Sequence, residues 1–392
     1  MSKSVYMSQP IENKETVYQE ITSWDDLDIP TEILRGIYAF GLEKPSPIQC
    51  KAIVPMLQKR DIIAQAQSGT GKTAAFTISS LARIDLTRNE TQVLVLSPTR
   101  ELSTQTADVM KNIGSLMLNL KIKVLVGGTS IEEDSHELRN NTPHIITGCP
   151  GRIYDMMRRN ILNSSTIDIV ILDEADEMLT SGFKDQVYNI FQYFKASVQV
   201  ALFSATMPSY MDSITSKFMR DPIKVTVKAE SLTLEGILQY YVAVEDDKQK
   251  YNTLKDLYSL MSVSQCIIYC NSVKRVMDLY DAMVADGFPV CCIHSNMDKG
   301  GRDQAFADFK NGKFRVLISS NITARGIDVQ QVSVVINFDC SRCIHTYLHR
   351  IGRSGRWGRK GMGINFITKR DVPIIREIEQ YYATQITEMP II

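Results

Sequence analysis

A nearly continuous apolar run that ends abruptly in acids constrains the fold more than any other part of this chain. The run covers Ile167–Leu172, and Asp173, Glu174 and Asp176 follow almost at once. Apolar runs rich in β-branched residues are typical of strands that are buried on both faces of a parallel sheet. Carboxylates at the edge of such an interior are costly unless a cation or a proton-transfer role compensates for them. The run therefore predicts an α/β fold with acidic chemistry at the end of one strand.

The same pattern of an apolar strand followed by polar or glycine-rich residues recurs through the first half of the chain. Because ligands bind at the carboxyl ends of the strands in an open parallel sheet, these residues are expected to share one functional edge. The predicted strands are Asp61–Ala64 before residues 66–73, Val93–Leu96 before residues 98–102, Val124–Val126 before Gly127 and Gly128, His144–Ile146 before residues 149–152, Ile167–Leu172 before the acids, and Gln199–Phe203 before residues 204–206.

The second half repeats this plan without a phosphate loop. Its predicted strands are Cys266–Cys270, Val290–Ile293, Arg315–Ile318 and Val332–Ile336. A chain of 392 residues is long enough for two domains that each bury a core. We therefore expect an N-terminal tail at 1–20, one α/β domain at 21–227, a linker at 228–236 and a second α/β domain at 237–392, with nucleotide in the cleft between the domains.

The charge balance bears on the kind of partner. Lys plus Arg and Asp plus Glu number 44 each, so a nucleic acid would have to be held by local contacts rather than by a global basic field. The segment Met1–Glu20 is polar, and the chain has no apolar run that approaches the roughly 20 residues needed to span a bilayer. These features favour a cytosolic compartment and leave a nuclear role open. The eight cysteines are expected to be reduced, mostly buried thiols.

Residues 66–73 match a Walker phosphate loop, except that Ala66 replaces the first glycine. The backbone of such a loop turns its N–H groups toward phosphate oxygens at the start of a helix. Lys72 is expected to pair with the β- and γ-phosphates, and Thr73 to hold Mg²⁺. The predicted phosphate-binding residues are Ser68, Gly69, Thr70, Gly71, Lys72 and Thr73.

The adjacent acids suit two different tasks. Asp173 is expected to reach Mg²⁺ directly or through a water, because Mg²⁺ keeps several of its waters. Glu174 then remains to orient and deprotonate an attacking water, as a general base. The alternative is a solvated acidic turn that caps the next helix, although it leaves the apolar run before Asp173 unexplained.

Two further segments each allow more than one interpretation. Residues 349–356 (His-Arg-Ile-Gly-Arg-Ser-Gly-Arg) resemble an arginine finger that the second domain supplies, but they also suit a solvated basic helix or an RNA-phosphate site. Ser46, Pro47 and Gln49 form a capping box, which explains Gln49 fully. The equally weighted alternative is that the Gln49 amide reads adenine.

Taken in order, these motifs resemble those of the DEAD-box RNA helicases. The resemblance rests on the Gln49 segment, residues 66–73 (AQSGTGKT), 98–102 (PTREL), 127–128 (GG), 173–176 (DEAD), 204–206 (SAT), 324–328 (ARGID) and 349–356 (HRIGRSGR), and it covers roughly residues 22–389. Residues 232–236, 359–361 and 381–386 look closest to the initiation-factor 4A branch of that family and its exon-junction relative.

The resemblance implies two tandem RecA-like domains with ATP and Mg²⁺ in the cleft between them. It implies that Gln49 contacts adenine, and that Trp24 occupies the position of a stacking aromatic residue. From the second domain, Gly326 and Asp328 would contact the nucleotide, and Arg353 and Arg356 would be the fingers. Asp176, Ser204, Thr206 and His349 would couple hydrolysis to strand separation.

The resemblance also implies a single RNA strand bound without sequence preference, because contacts to phosphate and sugar carry no sequence information. The implied RNA-binding residues are Thr99, Arg100, Gly128, Gly151 and Arg152 on one domain, and Asn271, Arg302 and Ser320 on the other. A protein scaffold would regulate domain closure, the protein alone would be a monomer, and the process would be translation initiation or RNA processing.

Several residues depart from the family pattern. Cys149 replaces a threonine, Lys299 replaces a glutamine, and Ser320 and Asn321 replace a Thr-Asp pair. Most of these changes lie on the expected RNA face, so we expect ATP hydrolysis to be retained more fully than unwinding. An ATP-gated RNA clamp within a larger ribonucleoprotein is the alternative function, whereas a catalytically dead scaffold is disfavoured because Lys72, Asp173, Glu174 and Arg353 are all present.

Overall fold

The structure, a computed structural model, describes residues 20–67, 69–179, 182–208, 210–227, 237–260, 265–323, 332–354 and 361–390. Within these ranges the chain forms two parallel seven-stranded sheets, each flanked by helices, which confirms the predicted fold class. The predicted linker at 228–236 and nearly all of the predicted N-terminal tail lie outside the described residues.

The first sheet contains β1 Ile62–Gln65, β2 Val93–Leu96, β3 Ile122–Leu125, β4 Ile145–Gly148, β5 Ile169–Asp173, β6 Gln199–Ser204 and β7 Ile223–Thr226. Its helices are α1 Thr31–Ala39, α2 Pro47–Leu57, α3 Lys72–Leu81, α4 Arg100–Ile113, α5 Ile131–Asn140, α6 Pro150–Arg158, α7 Ala175–Met178, α8 Lys184–Phe191 and α9 Tyr210–Thr215. Short 3-10 helices lie at Trp24–Asp26 and Ser164–Thr166.

The second sheet contains β8 Ile237–Ala243, β9 Gln265–Tyr269, β10 Val290–Ile293, β11 Val316–Ser319, β12 Val332–Asn337, β13 Gly361–Ile367 and β14 Thr387–Glu388. Its helices are α10 Asp247–Leu260, α11 Val273–Ala285, α12 Lys299–Lys310, α13 Ile344–Ile351 and α14 Val372–Tyr382, with a 3-10 helix at Asn321–Thr323.

The two sheets share one topology. The first has the strand order β3-β4-β2-β5-β6-β1-β7 and the second the order β10-β11-β9-β12-β13-β8-β14, which is the same order when the strands are counted from the start of each sheet. The central strand is β5 in the first sheet and β12 in the second. The strands are parallel, so the loops that follow the central strands lie at one edge of each sheet.

Alternate residues of the buried strands enter different layers of the core. In β2, for example, Val93 and Val95 pack on one face of the first sheet, whereas Leu94 and Leu96 pack on the other. Burial on both faces explains why these strands read as continuous apolar runs. Among the described residues, no helix is both long and apolar enough to cross a membrane.

Candidate nucleotide site and nucleic-acid groove

The predicted acids lie at the carboxyl end of β5. Asp173 is the last residue of that strand and is 2% exposed. Glu174 has a left-handed backbone conformation (φ 52°, ψ 51°), which costs a residue other than glycine about 1–2 kcal/mol. Its backbone N–H donates to Asp173 Oδ1 at 3.0 Å. A strained turn therefore holds two adjacent carboxylates at the edge of the core, as is common at functional sites.

The electrostatics of these acids favour a cation. Burial, reinforced by the neighbouring Glu174 carboxylate, raises the pKa of Asp173 to about 7, and Lys72 opposes this shift. Thr73 contributes a hydroxyl in the first turn of α3 and is half-buried. A carboxylate and a hydroxyl are the hard oxygen donors that Mg²⁺ prefers, so the residues present fit that ion.

The phosphate loop connects β1 to α3. Gly71 is the N-cap of α3 with φ 97°, and Gly69 also has a positive φ of 82°. The Lys72 Nζ is buried and donates to the Ala66 carbonyl at 2.8 Å, while Thr70 Oγ1 donates to the Gln67 carbonyl at 2.7 Å. These bonds hold the loop closed around the start of a helix, where anions bind favourably. Ser68 lies outside the described residues.

The Gln49 side chain joins α2 to the phosphate loop. Its Oε1 accepts from the Ser46 backbone N–H at 2.7 Å, and its Nε2 donates to the Gly71 carbonyl at 3.1 Å. A Cβ at Gly71 would lie only 2.4 Å from Gln49 Nε2, so this contact requires glycine. The capping interpretation of Gln49 is thereby confirmed, and the contact with adenine stays a prediction.

Trp24 belongs to the core rather than to an open ligand surface. Its ring is fully buried among apolar residues such as Ile48 and Ile53, and its Nε1 donates to the Leu42 carbonyl at 3.0 Å. Stacking on a base requires an exposed face of the ring, so the position of Trp24 in this structure does not support the predicted stacking role. Its bond to Leu42 instead anchors the segment that leads to Gln49.

The predicted coupling residues form one buried chain of hydrogen bonds. Asp176 Oδ2 accepts from Thr206 Oγ1 at 2.8 Å and lies 3.0 Å from His349 Nε2 of the second domain. Ser204 Oγ donates to the Thr206 carbonyl at 2.7 Å. Side-chain atoms of Glu174, Asp176 and His349 lie within 4.8 Å of one another. The predicted contact between Asp176 and His349 is confirmed, and it links the acids to the second sheet.

The arginine-rich segment begins on α13. Arg353 is 3% exposed, and its Nε donates to the His349 carbonyl at 3.2 Å. The guanidinium is thus held one helical turn from the residue that touches Asp176. Arg356, Gly326 and Asp328 lie outside the described residues, so their predicted contacts with nucleotide stay predictions.

A cavity of about 780 Å³ is lined by residues of both domains. Seven of the eight predicted RNA-binding residues line it, namely Thr99, Arg100, Gly151, Arg152, Asn271, Arg302 and Ser320. The eighth, Gly128, has φ 87°, and a Cβ there would lie 2.9 Å from Arg100 Nη1. The cavity is therefore a groove to which both domains contribute polar and cationic groups.

An ion pair crosses this groove. Arg302 Nη1 on α12 lies 3.1 Å from Glu101 Oε1 on α4, and the two side chains are 6% and 11% exposed. Loss of one partner of such a pair is destabilising, because it leaves an uncompensated buried charge. The sequence reading missed Glu101, although its position between the predicted contact Arg100 and Leu102 in the 98–102 motif was a usable signal.

Arg152 is more constrained than predicted. Its guanidinium pairs with Asp134, and it donates to Thr129 through both the hydroxyl (2.9 Å) and the carbonyl (2.8 Å). These bonds satisfy most of its donors inside the first domain. Arg152 lines the groove, but its main role there is to hold the loop after Gly128 in place.

The comparisons with known proteins agree with this geometry. Residues 46–214 match the DEAD/DEAH box helicase family and residues 249–358 the helicase conserved C-terminal domain. The chain is 50% identical over 377 residues to the ATP-dependent RNA helicase eIF4A of Aspergillus niger, covering 96% of this chain and 94% of the relative.

Solved structures show the same architecture of tandem RecA-like domains. S. cerevisiae Dbp5 bound to RNA and ADP BeF3 superposes with a TM-score of 0.87 at 34% identity, covering 94% of this chain and 96% of that one. A Dbp5 variant bound to Nup159, Gle1, IP6 and ADP gives a TM-score of 0.63 at 32% identity, with coverage of 92% and 94%. Motifs, site and whole-chain similarity agree: the chain belongs to the DEAD-box family of ATP-dependent RNA helicases.

Proposed function

We propose that this helicase closes its two domains on Mg²⁺-bound ATP and a single RNA strand, and so opens short duplexes. The observation that carries the proposal is the buried contact between Asp176 and His349, which connects the hydrolytic acids to the second domain. The Arg302–Glu101 pair and the shared groove add contacts of the same kind. The arrangement is also more similar to Dbp5 with RNA and ADP BeF3 than to the variant with Nup159, Gle1, IP6 and ADP.

On the nucleotide side, we assign the chemistry to the groups around β5 and α3. Lys72 exchanges its bond with the Ala66 carbonyl for the β- and γ-phosphates when ATP binds. Asp173 and Thr73 would hold a magnesium ion, which would neutralise charge at the phosphates. Glu174 accepts a proton from the attacking water, and Arg353, with Arg356, stabilises negative charge that develops in the transition state.

On the RNA side, closure brings the two walls of the groove to one strand. Arg100 and the backbone at Gly128 and Gly151 face the strand from the first domain, and Asn271, Arg302 and Ser320 from the second. Because these groups suit phosphate and sugar oxygens, we propose recognition without sequence preference. Stacked duplex geometry does not fit a strand bent between two domains, so closure disfavours pairing.

The biological setting is proposed from the relatives. Similarity to an eIF4A supports a role in translation initiation and a cytoplasmic location, and the Dbp5 complexes with Gle1 and Nup159 support control of closure by a protein scaffold. We also propose domain boundaries at 21–227 and 237–392, joined by residues 228–236, and a protein that is monomeric on its own.

ATP turnover with different polymers tests the proposal. We expect weak basal ATPase activity that single-stranded RNA stimulates strongly and single-stranded DNA poorly, because only RNA offers 2′-hydroxyl groups. Equal stimulation by both polymers would refute the RNA assignment. Duplex opening measured beside ATP-dependent RNA retention separates a helicase from a clamp.

A further inference from the structure

Helix α13 carries buried polar side chains on nearly opposite faces. His349 and Tyr347 are two residues apart, which places their side chains about 200° apart around a helix of 3.6 residues per turn. His349 Nε2 lies 3.0 Å from Asp176 Oδ2 of the first domain. Tyr347 is fully buried, and its hydroxyl donates to Gln239 Oε1 on β8 at 2.7 Å. The helix therefore makes one polar contact with the second sheet and one with the first domain.

The surroundings of the Tyr347 ring do not by themselves call for a hydroxyl. The ring belongs to an apolar cluster with Ile351 of the same helix and Ile375 and Ile378 of α14. Phenylalanine would suit such a cluster, and a buried hydroxyl costs free energy unless it is hydrogen-bonded. Burial raises the pKa of the Tyr347 hydroxyl well above its ordinary value, so the group stays protonated and remains a donor. The bond to Gln239 is thus what distinguishes tyrosine from phenylalanine here.

The acceptor of this bond is held in place by the second sheet. Gln239 is 6% exposed, and its Nε2 donates to Thr384 Oγ1 at 2.8 Å. Because Thr384 engages the amide nitrogen, the amide oxygen is the atom that faces Tyr347. On the neighbouring strand β13, Asn365 Nδ2 lies 3.5 Å from the Tyr347 hydroxyl. Tyr347 is therefore anchored to a fixed part of the sheet.

Arg350 ties the same helix to other strand ends of the second sheet. Its side chain is fully buried and donates to Asn337 Oδ1 at 3.1 Å and to Asn271 Oδ1 at 2.7 Å. Asn337 is the last residue of β12 and donates in turn to Asn365 Oδ1 at 2.8 Å. Helix α13 has only eight residues, so these few bonds determine where it lies.

We infer that Tyr347 is a positioning residue for ATP hydrolysis, which acts through its bond to Gln239 to hold His349 within hydrogen-bonding distance of Asp176. A shift of roughly half an ångström in α13 would take that contact beyond the usual range of N–H···O distances. The inference rests on the proposed relay between Asp176 and His349, and adds the residue that keeps the relay in register from the opposite face of the helix.

Tyr347→Phe tests the inference because it removes only the hydroxyl. The kcat of RNA-stimulated ATP hydrolysis should fall by about fivefold or more, since the helix loses its anchor to β8. The KM for ATP should change by less than about twofold, because Lys72 and the phosphate loop belong to the first domain. A merely structural role would lower the midpoint of thermal unfolding and leave kcat unchanged. An unchanged kcat in Y347F would therefore overturn the inference.

A double-mutant cycle with His349 identifies the route of the effect. If Tyr347 acts through His349, the exchange of Tyr347 for phenylalanine should lower kcat by less than about twofold once His349 is already alanine. If the two losses multiply instead, Tyr347 acts on some other part of the site, and the inference is wrong.

Tyr251→Phe is the matched control in the same domain. The Tyr251 hydroxyl donates to the Ala282 carbonyl at 3.0 Å and to Asp286 Oδ2 at 2.9 Å, so it joins α10 to α11. Y251F loses the same atom away from α13 and should keep kcat within about twofold of the unchanged protein. An equal fall of kcat in Y251F and Y347F would trace the effect to general weakening of the domain and overturn the inference.

His349→Ala alone keeps this test distinct from the function it rests on. If H349A retains full RNA-stimulated ATPase activity, the proposed relay itself fails. If H349A lowers that activity and Y347F does not, the relay stands and only the role of Tyr347 fails.

Discussion

The hydrogen bonds of Asp176 join the acidic segment after β5 to the second domain. Asp176 Oδ2 accepts a hydrogen bond from Thr206 Oγ1 of the first domain and lies beside His349 Nε2 of the second. All three residues are buried. Such a network is worth more inside the protein than in water, because the low local dielectric strengthens each bond. Separation of the domains must break it, so the state of the acids depends on closure.

Replacement of His349 by alanine should therefore uncouple the two domains. Loss of a buried hydrogen-bond partner costs about 1–3 kcal/mol, so RNA-stimulated ATPase activity should fall by about tenfold or more while ATP affinity changes little. Steady-state kinetics and nucleotide titration measure the two effects. His345→Ala is the control, because His345 lies on the same helix but contacts Tyr381 and Tyr382. Equal activities of the two variants would rule out the relay.

The sequence predicted which side chains occupy the site more accurately than it predicted the residues that surround them. The acids, Lys72 and His349 were found because their chemistry needs particular side chains at particular strand ends. The stacking role of Trp24 stays a prediction that its burial in the core does not support, because a motif position says nothing about burial. Glu101 and Arg350 were missed because each acts through a partner that is distant in the chain.

The loop that follows β3 shows how a short element prepares a binding surface. Gly128 has φ 87°, and its missing side chain leaves room for the Arg100 guanidinium. Arg152 holds the same loop through Thr129. The loop therefore determines where the Arg100 guanidinium lies relative to the groove.

The exchange of Gly128 for alanine should displace Arg100 and weaken RNA binding by about tenfold. Left-handed alanine should also lower the free energy of unfolding by about 1–2 kcal/mol. Gly127→Ala is the matched control, because a Cβ there meets no described atom closer than Arg100 Nη2 at 3.6 Å. RNA titration and chemical denaturation of both variants check the prediction, which fails if G127A is as damaging as G128A.

The pair between α4 and α12 should couple energetically only when the domains meet. In a double-mutant cycle of Glu101→Gln and Arg302→Gln, RNA affinity with an ATP analogue should show a coupling energy of about 1–3 kcal/mol. The same cycle with ADP should show almost none. Additive effects in both nucleotide states would mean that the pair does not contribute to closure.

Strand prediction succeeded for continuous apolar runs and failed for strands whose sequences lack such a run. The ten predicted strands correspond to strands of the structure, because continuous apolar runs mark burial on two faces. Strands β7, β8, β13 and β14 were not predicted. Strands β7, β8 and β14 each expose residues to solvent and lack such a run. Strand β13 is almost wholly buried, but Gly361, Gly363 and Asn365 interrupt its apolar sequence.

The two domains share one sheet topology, and the phosphate loop is present only in the first domain. Sequence predicted this duplication from the repeated alternation of strands and motifs, whereas the strand order required the structure. The acids and Lys72 belong to the first domain, and His349 and Arg353 to the second, so neither domain alone holds all of the predicted site residues. ATP hydrolysis and RNA binding are therefore linked through one conformational change.

The RNA affinity of Glu174→Gln in the presence of ATP tests this linkage most directly. The variant keeps the size of the side chain but removes the carboxylate that we propose as the base, so ATP should persist and hold the domains closed on RNA. We expect E174Q to bind single-stranded RNA at least about tenfold more tightly with ATP than with ADP, and His349→Ala in the same background to abolish the difference. Equal affinity of E174Q for RNA with ATP and with ADP would contradict the account.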